Sequence, residues 1–195
     1  MTILSMALLL GGCASGIVDH TDDKQYQPLR AACFTIKKPA FLYEARCADL
    51  QAGRFGDSSF CTGIQGFAPK AYQQGIHTYH YQYPSSWREY LSSRHSWDKK
   101  MFPKLLFEKQ RSMIAPVGVG TQLRITGIYE YPRGEMGHVP IVRAKLISGQ
   151  FKNTEVELPS QHGFSDAGPD WISSWFQHSA PDTRLSSEYL QPCND

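Results

Sequence analysis

The sequence predicts a mainly β domain with a few short helices, built as a small antiparallel barrel or sandwich and closed by two disulfides. Three observations lead there. Apolar and polar residues alternate over three short runs, at about 121–130, 139–148 and 154–158, which is the signature of half-buried strands. Tyr and Phe number 10 each, and 16 Gly and 12 Pro punctuate the chain, a composition suited to short strands and many turns. Of the 5 cysteines, Cys33, Cys47, Cys61 and Cys193 form an even set once Cys13 is given a separate role.

The chain opens with MTILSMALLLGGCASG. The apolar run Ile3 to Leu10 is too short to span a bilayer, which takes about 20 helical residues. It fits the apolar region of a signal peptide, about 7–15 residues long. Leu10-Gly11-Gly12-Cys13 resembles the lipobox of bacterial lipoproteins, in which a large aliphatic residue and two small ones precede a cysteine. The resemblance implies cleavage before Cys13, a diacylglycerol thioether on its sulfur and a further acyl group, such as palmitate, on the new amine. Two or three chains hold stably where one does not, because each buried methylene contributes about 0.8 kcal/mol. Ala14 follows the cysteine, and by the same resemblance this implies sorting to the outer membrane. Residues 1–12 are then the signal peptide, and 13–28 read as a lipidated flexible tether, polar and without periodicity. One mostly β domain follows over 29–195, long enough for a hydrophobic core of its own.

Export places the four remaining cysteines in an oxidising compartment, where two disulfides are expected and three pairings are open. The favoured set is Cys33–Cys193 and Cys47–Cys61. The second closes a loop of about 15 residues, worth roughly 3 kcal/mol in the chain-entropy model. The first ties the two ends of the domain and is worth nearer about 5 kcal/mol.

Along the chain, AACFTIKKPAFLYEA reads as two short strands bent at Pro39, which donates no ladder bond. Residues 47 to 75, rich in Gly and Ser, read as an irregular excursion. In IHTYHYQYP, His77, Tyr79, Tyr81 and Tyr83 share one strand face, and Pro84 ends the strand. Ser86-Trp87-Arg88-Glu89 matches a capping box and predicts a short helix reaching about Arg94. A second helical piece is expected in WDKKMFPKLLFEKQR, broken before Pro103. Pro132-Arg133-Gly134 and Ser148-Gly149 supply turns between the strands of the last third. A Gly-Thr leading into an alternating strand, a hairpin and a Ser-Gly turn resembles SH3-like bacterial barrels. PDWISSWFQ predicts a short helix carrying Trp171, Ile172, Trp175 and Phe176 on one side, capped by Asp166 or Gly168. The Cys33 strand, the central hairpin and the closing Tyr-Leu-Gln-Pro-Cys together resemble a group of small, uncharacterised bacterial envelope lipoproteins. In that group a cysteine opens the first strand and another ends the chain, which implies Cys33–Cys193 here and implies no activity.

The same residues hold partial matches to catalytic motifs. Gly56-Asp57-Ser58 resembles the nucleophile block of the SGNH hydrolases, but that chemistry needs a His set by an Asp three residues earlier, and no His has one. The block reads as a turn. Cys61 lacks the preceding Asp of cell-wall cysteine peptidases and reads as a disulfide cysteine. No pair of cysteines has CxxC spacing, no HExxH occurs, and His77 and His80 fall on opposite faces of a strand, so no metal is expected. Gly118-Val119-Gly120 lacks the rest of a phosphate loop, so no nucleotide cofactor is expected. A net charge of +2, with dispersed basic residues, gives no footprint for nucleic acid. The stripe of His77, Tyr79, Tyr81 and Tyr83 either packs against the Trp171 segment or forms a binding face, since Tyr is favoured at interfaces.

The expectation is a lipid-anchored, periplasm-facing protein that binds an envelope protein partner without catalysis, as an assembly factor or an inhibitor or immunity-type protein. The alternative is a cell-envelope hydrolase with an unrecognised site.

Overall fold

Leu123, Ile125, Ala144 and Leu146 alternate with polar neighbours because one face of their strands packs inward, and the computed structural model shows all four buried. It describes residues 16–50, 54–67, 72–74, 76–79, 84–101, 110–134, 137–160, 169–175 and 182–194. The strands in chain order begin with β1 (Val18–Asp19), β2 (Cys33–Ile36), β3 (Ala40–Asp49) and β4 (Arg54–Gly66). A small hairpin follows, β5 (Tyr72–Gln74) and β6 (His77–Tyr79), then helices α1 (Trp87–Ser92) and α2 (Arg94–Met101). Next come β7 (Gln110–Val117), β8 (Gln122–Gly134), β9 (Gly137–Leu146) and β10 (Glu155–Glu157). The chain closes with β11 (Ile172–Trp175), β12 (Asp182–Leu185) and β13 (Leu190–Pro192).

The main sheet runs β13-β2-β8-β9-β10-β4-β3-β7, with β1 added alongside β8. The β8-β9-β10 meander falls where the alternation placed it. The wholly antiparallel arrangement does not hold: β10 runs parallel to β4, with Glu157 opposite Gly63, so the sheet is open and mixed. An antiparallel hairpin cannot make that join, so the parallel pair is a long-range contact invisible to local pattern. The sheet nonetheless coils. β2 and β3 are two parts of one segment bent at Lys37–Pro39, and β7 and β8 two parts of another bent at Gly118–Thr121. β2 pairs with β8 and β3 with β7, and at the corner the Ile36 amide donates to the Thr121 carbonyl at 2.9 Å.

Inside the coil lies the main core, with Ile36, Leu42, Ile64, Leu123, Val142 and Trp171 among its members. On the outer face of β3 a second cluster joins Phe41, Tyr43, Tyr90 and Met113, with Trp87 and Trp97 packed against it. Half of the capping box forms: the Glu89 amide donates to Ser86 Oγ at 3.1 Å, while the Glu89 carboxylate accepts from the amide of Ser85, one residue before the cap, at 2.8 Å. This start fixes α1, which delivers Tyr90 to the cluster.

Three local expectations are corrected. The Gly/Ser-rich stretch is not an irregular excursion: residues 54–66, including Gly56-Asp57-Ser58, form β4, paired with β3 from Ala40↔Gly66 to Asp49↔Arg54. Gly63 and Gly66 serve close packing. A Cβ on Gly63 would stand 2.2 Å from the Tyr43 ring, which lies across that gap. PDWISSWFQ is not a helix. Residues 172–175 are β11, paired with β12, and the Trp171 and Ile172 amides both donate to the Pro159 carbonyl. Adjacent serines compete with helix bonds, and cross-strand bonds meet the same demand. Residues 18–28 are not a free tether either. β1 pairs with β8, and Tyr26, in a single 3-10 turn, is 2% exposed in the main core.

Of the two expected bridges, Cys33–Cys193 is described, with Cα atoms 5.4 Å apart and the antiparallel β13–β2 pair around it. Cys61 is also disulfide-bonded; the side chain of Cys47 lies outside the described residues.

Candidate functional site

The residues expected to carry function fall mostly outside the described side chains. Cys13, Tyr81 and Tyr83 lie outside the described residues, and His77 and Tyr79 are described only as backbone of β6. The structure brings together a different set.

The N-terminal arm is folded by short polar residues. The Thr21 amide donates to Asp19 Oδ1 at 2.8 Å, and Thr21 Oγ1 accepts from the Ile128 amide at 3.0 Å. The His20 amide donates to the Ile128 carbonyl, and the Asp23 amide returns to the His20 carbonyl at 3.0 Å. This turn lays the His20 ring between two carboxylates. Nδ1 is 2.7 Å from Asp23 Oδ2, and Nε2 is 2.8 Å from Glu130 Oε2. Only a ring protonated on both nitrogens donates to both. Glu130, on β8, is 7% exposed, and its other oxygen meets His138 Nδ1 from β9. The Tyr26 ring stands 5.8 Å from that of His20 and walls the cluster on the arm side.

Burying a carboxylate is costly unless it is paired and hydrogen-bonded. Here Glu130 is held between two imidazoles, so the cluster fastens the arm to the sheet. It also orients His138, whose side chain is 45% exposed while Glu130 stays covered. A carboxylate fixing one nitrogen of a half-exposed imidazole is the orienting half of an acid–base pair. Among the described residues no group of three His, Cys, Asp or Glu is placed to hold a metal ion.

A second polar feature crosses the outer face of the sheet. Gly127, Arg143, Glu157, Gly63 and Tyr43 lie in one row over five strands. Arg143 and Glu157 form an ion pair at 3.1 Å, with side chains 16% and 8% exposed. Tyr rings flank the pair, Tyr43 across Gly63 and Tyr129 across Gly127. At the other end of the coil Trp171 stacks on Tyr189 at 5.4 Å, and Lys38 Nζ lies 5.1 Å from the Tyr189 ring centre. Beside Trp171, desolvation pushes the Asp170 carboxyl up to about 6 from 3.8.

Sequence reasoning missed His20, Glu130 and His138. His20 stood in the stretch read as tether, and it is 110 residues from Glu130. The available signal was Tyr129-Glu130-Tyr131, a carboxylate at a strand position between aromatics. No protein family, curated protein or solved structure matches the chain.

Proposed function

We propose that this protein is a lipoprotein held through Cys13 at the outer membrane, facing the periplasm, with a domain that binds an envelope protein partner. The Cys33–Cys193 bridge carries the reading, because such bridges persist in oxidising compartments outside the cytoplasm. The lipobox-like Leu10-Gly11-Gly12-Cys13 supplies the address. The second bridge is proposed as Cys47–Cys61. β3–β4 pairing sets Cys47 opposite Ser59, two positions from Cys61 on the adjoining strand, and Cys61 is disulfide-bonded.

The coil of the sheet supports a partly open five-segment barrel. Starting from β7–β8, the segments run β9, β10, then β4 and β2–β3, with the third parallel to its neighbour. That order is the one of OB-type barrels, entered here at a different point in the chain, and such barrels serve as binding platforms. The link from platform to binding is an analogy of fold.

Labelled palmitate should enter the wild-type protein in cells and be absent from Cys13→Ser. Equal labelling of both overturns the anchor. For the partner, a photo-crosslinking residue in place of Tyr129 should capture one envelope protein at stoichiometric yield, against none from position Lys152. The hydrolase alternative rests on the Glu130–His138 pair. It predicts turnover of a cell-wall fragment or ester that is lost in His138→Gln.

A further inference from the structure

The arm over Val18–Tyr26 is docked on the sheet, and its first strand starts five residues after Cys13 in the sequence. β1 runs antiparallel to β8, with Val18 opposite Glu130 and Asp19 opposite Tyr129. Going backwards along the chain, Ile17 and Gly16 therefore lead toward Tyr131, Pro132 and the tip of the β8–β9 hairpin. His20 and Tyr26 hold the arm in place, the first through Glu130 and the second in the main core. From Cys13 to Val18 the chain has five steps, which at full extension reach at most about 18 Å. β8 itself has 13 residues, up to about 40 Å of strand. Val18 stands opposite Glu130, eight residues and up to about 27 Å from Gln122 at the far end of β8, so a leash of about 18 Å does not bring that end to the bilayer while the arm stays docked.

We infer that the β8–β9 hairpin end of the domain, with Tyr131, Pro132, His138 and Val139, lies against the lipid headgroup layer, while the opposite end, around the Ser148–Asn153 turn, faces away. The inference rests on the lipid anchor at Cys13. The chemistry of the near end suits it. Tyr131, Pro132 and Val139 are each partly exposed, and Val18 is 42% exposed beside them. Tyrosine is favoured at the headgroup level, where its ring is shielded and its hydroxyl stays wet. The acidic residues Asp22 and Asp23 sit on the part of the arm leading away from the tip, so they recede from anionic headgroups. The far turn carries Lys152 and two left-handed residues, Gly149 at φ 76 and Asn153 at φ 75, and is tied to β8 by the Gln122 amide donating to Ser148 Oγ.

The test uses the mature chain from Cys13 onward, with a maleimide lipid coupled to that thiol, in lipid nanodiscs containing a gadolinium-chelating headgroup lipid. Amide signals of Tyr131 and Val139 should broaden beyond detection, while those of Phe151 and Lys152 should persist. In His20→Ala combined with Tyr26→Ala, which removes both holds on the arm, the contrast between the two ends should vanish although the lipid remains. Uniform broadening in wild type, or broadening at Phe151 alone, overturns the inference. Because the lipid is attached chemically, the outcome is independent of palmitate labelling in cells. Failed labelling removes the anchor reading, whereas labelling with uniform broadening removes only this orientation.

Discussion

Over Ala40–Tyr43, β3 buries both of its faces, and the two cores it separates are built differently. Toward the inside, Ala40 and Leu42 meet Ile36, Ile64, Leu123, Ile125 and Val156, mostly aliphatic side chains carried by neighbouring strands. Toward the outside, Phe41 and Tyr43 meet Tyr90, Met113, Trp87 and Trp97, an aromatic cluster assembled from β3, β7 and both helices. The inner core follows from strand alternation, since one face of each strand must leave water. The outer one exists only because a capped helix docks there. The inner core is also crosslinked by Cys33–Cys193, which spans 160 residues of sequence, while the outer core lies next to the disulfide-bonded Cys61.

The largest effect is expected at the bridge. Cys33→Ala with Cys193→Ala should cost about 5 kcal/mol in denaturant unfolding, the loop-entropy value for a crosslink this wide. A loss under about 1 kcal/mol would show that β13–β2 pairing alone holds the ends, because a bridge that restrains nothing contributes little. Next come the two cores themselves. Leu42→Ala and Tyr90→Ala should each cost about 3 kcal/mol. They should differ in reach: hydrogen exchange in β8 and β9 should accelerate in Leu42→Ala and stay near wild type in Tyr90→Ala. Equal acceleration in both would merge the two cores into one cooperative unit. Smaller still is the cap. Ser86→Ala should cost about 1 kcal/mol and expose the Trp87 fluorophore, without changing exchange in the inner core.

The smallest effect is electrostatic and belongs to Asp170, next in the chain to the buried Trp171. Asp170 titrates near 6 in the fold against 3.8. Its ionised form is disfavoured by folding, so stability should rise as pH falls through 6 and level off below 3.8. The residue is exposed in part, so solvent screening keeps the gain modest. Asp170→Asn should flatten the stability curve in that window. An unchanged slope would assign the pH response to other groups.

How much of this was legible varies by element. β8 and β9 were readable because Leu123 and Ile125 on one, and Val142, Ala144 and Leu146 on the other, alternate inward, although a bulge between Ile125 and Gly127 shifts the inward set to Ile128 beyond it; the helix cap was readable because Ser86 and Glu89 are three residues apart. β4 was not: Gly63 and its neighbours look like a loop, and their purpose becomes visible only with the Tyr43 ring laid across them. β11 was misread because Trp171, Ile172, Trp175 and Phe176 have spacings that fit a helix face, while the β12 partner lies beyond any local window. The cluster at Glu130 was illegible for the same reason, with members from the arm, β8 and β9.

By itself the sequence determined the mainly β class, the meander over the last third, the helix start at Ser86 and the favoured Cys33–Cys193 pair. These depend on neighbours within a few residues, on the even count of cysteines, or on a resemblance carried by short motifs. The tertiary structure alone decided the parallel β10–β4 join, the two-sided burial of β3, the docking of the arm and the meeting of His20, Glu130 and His138. Each of those is a contact between distant segments, and a local pattern encodes which face must leave water without encoding which segment will cover it.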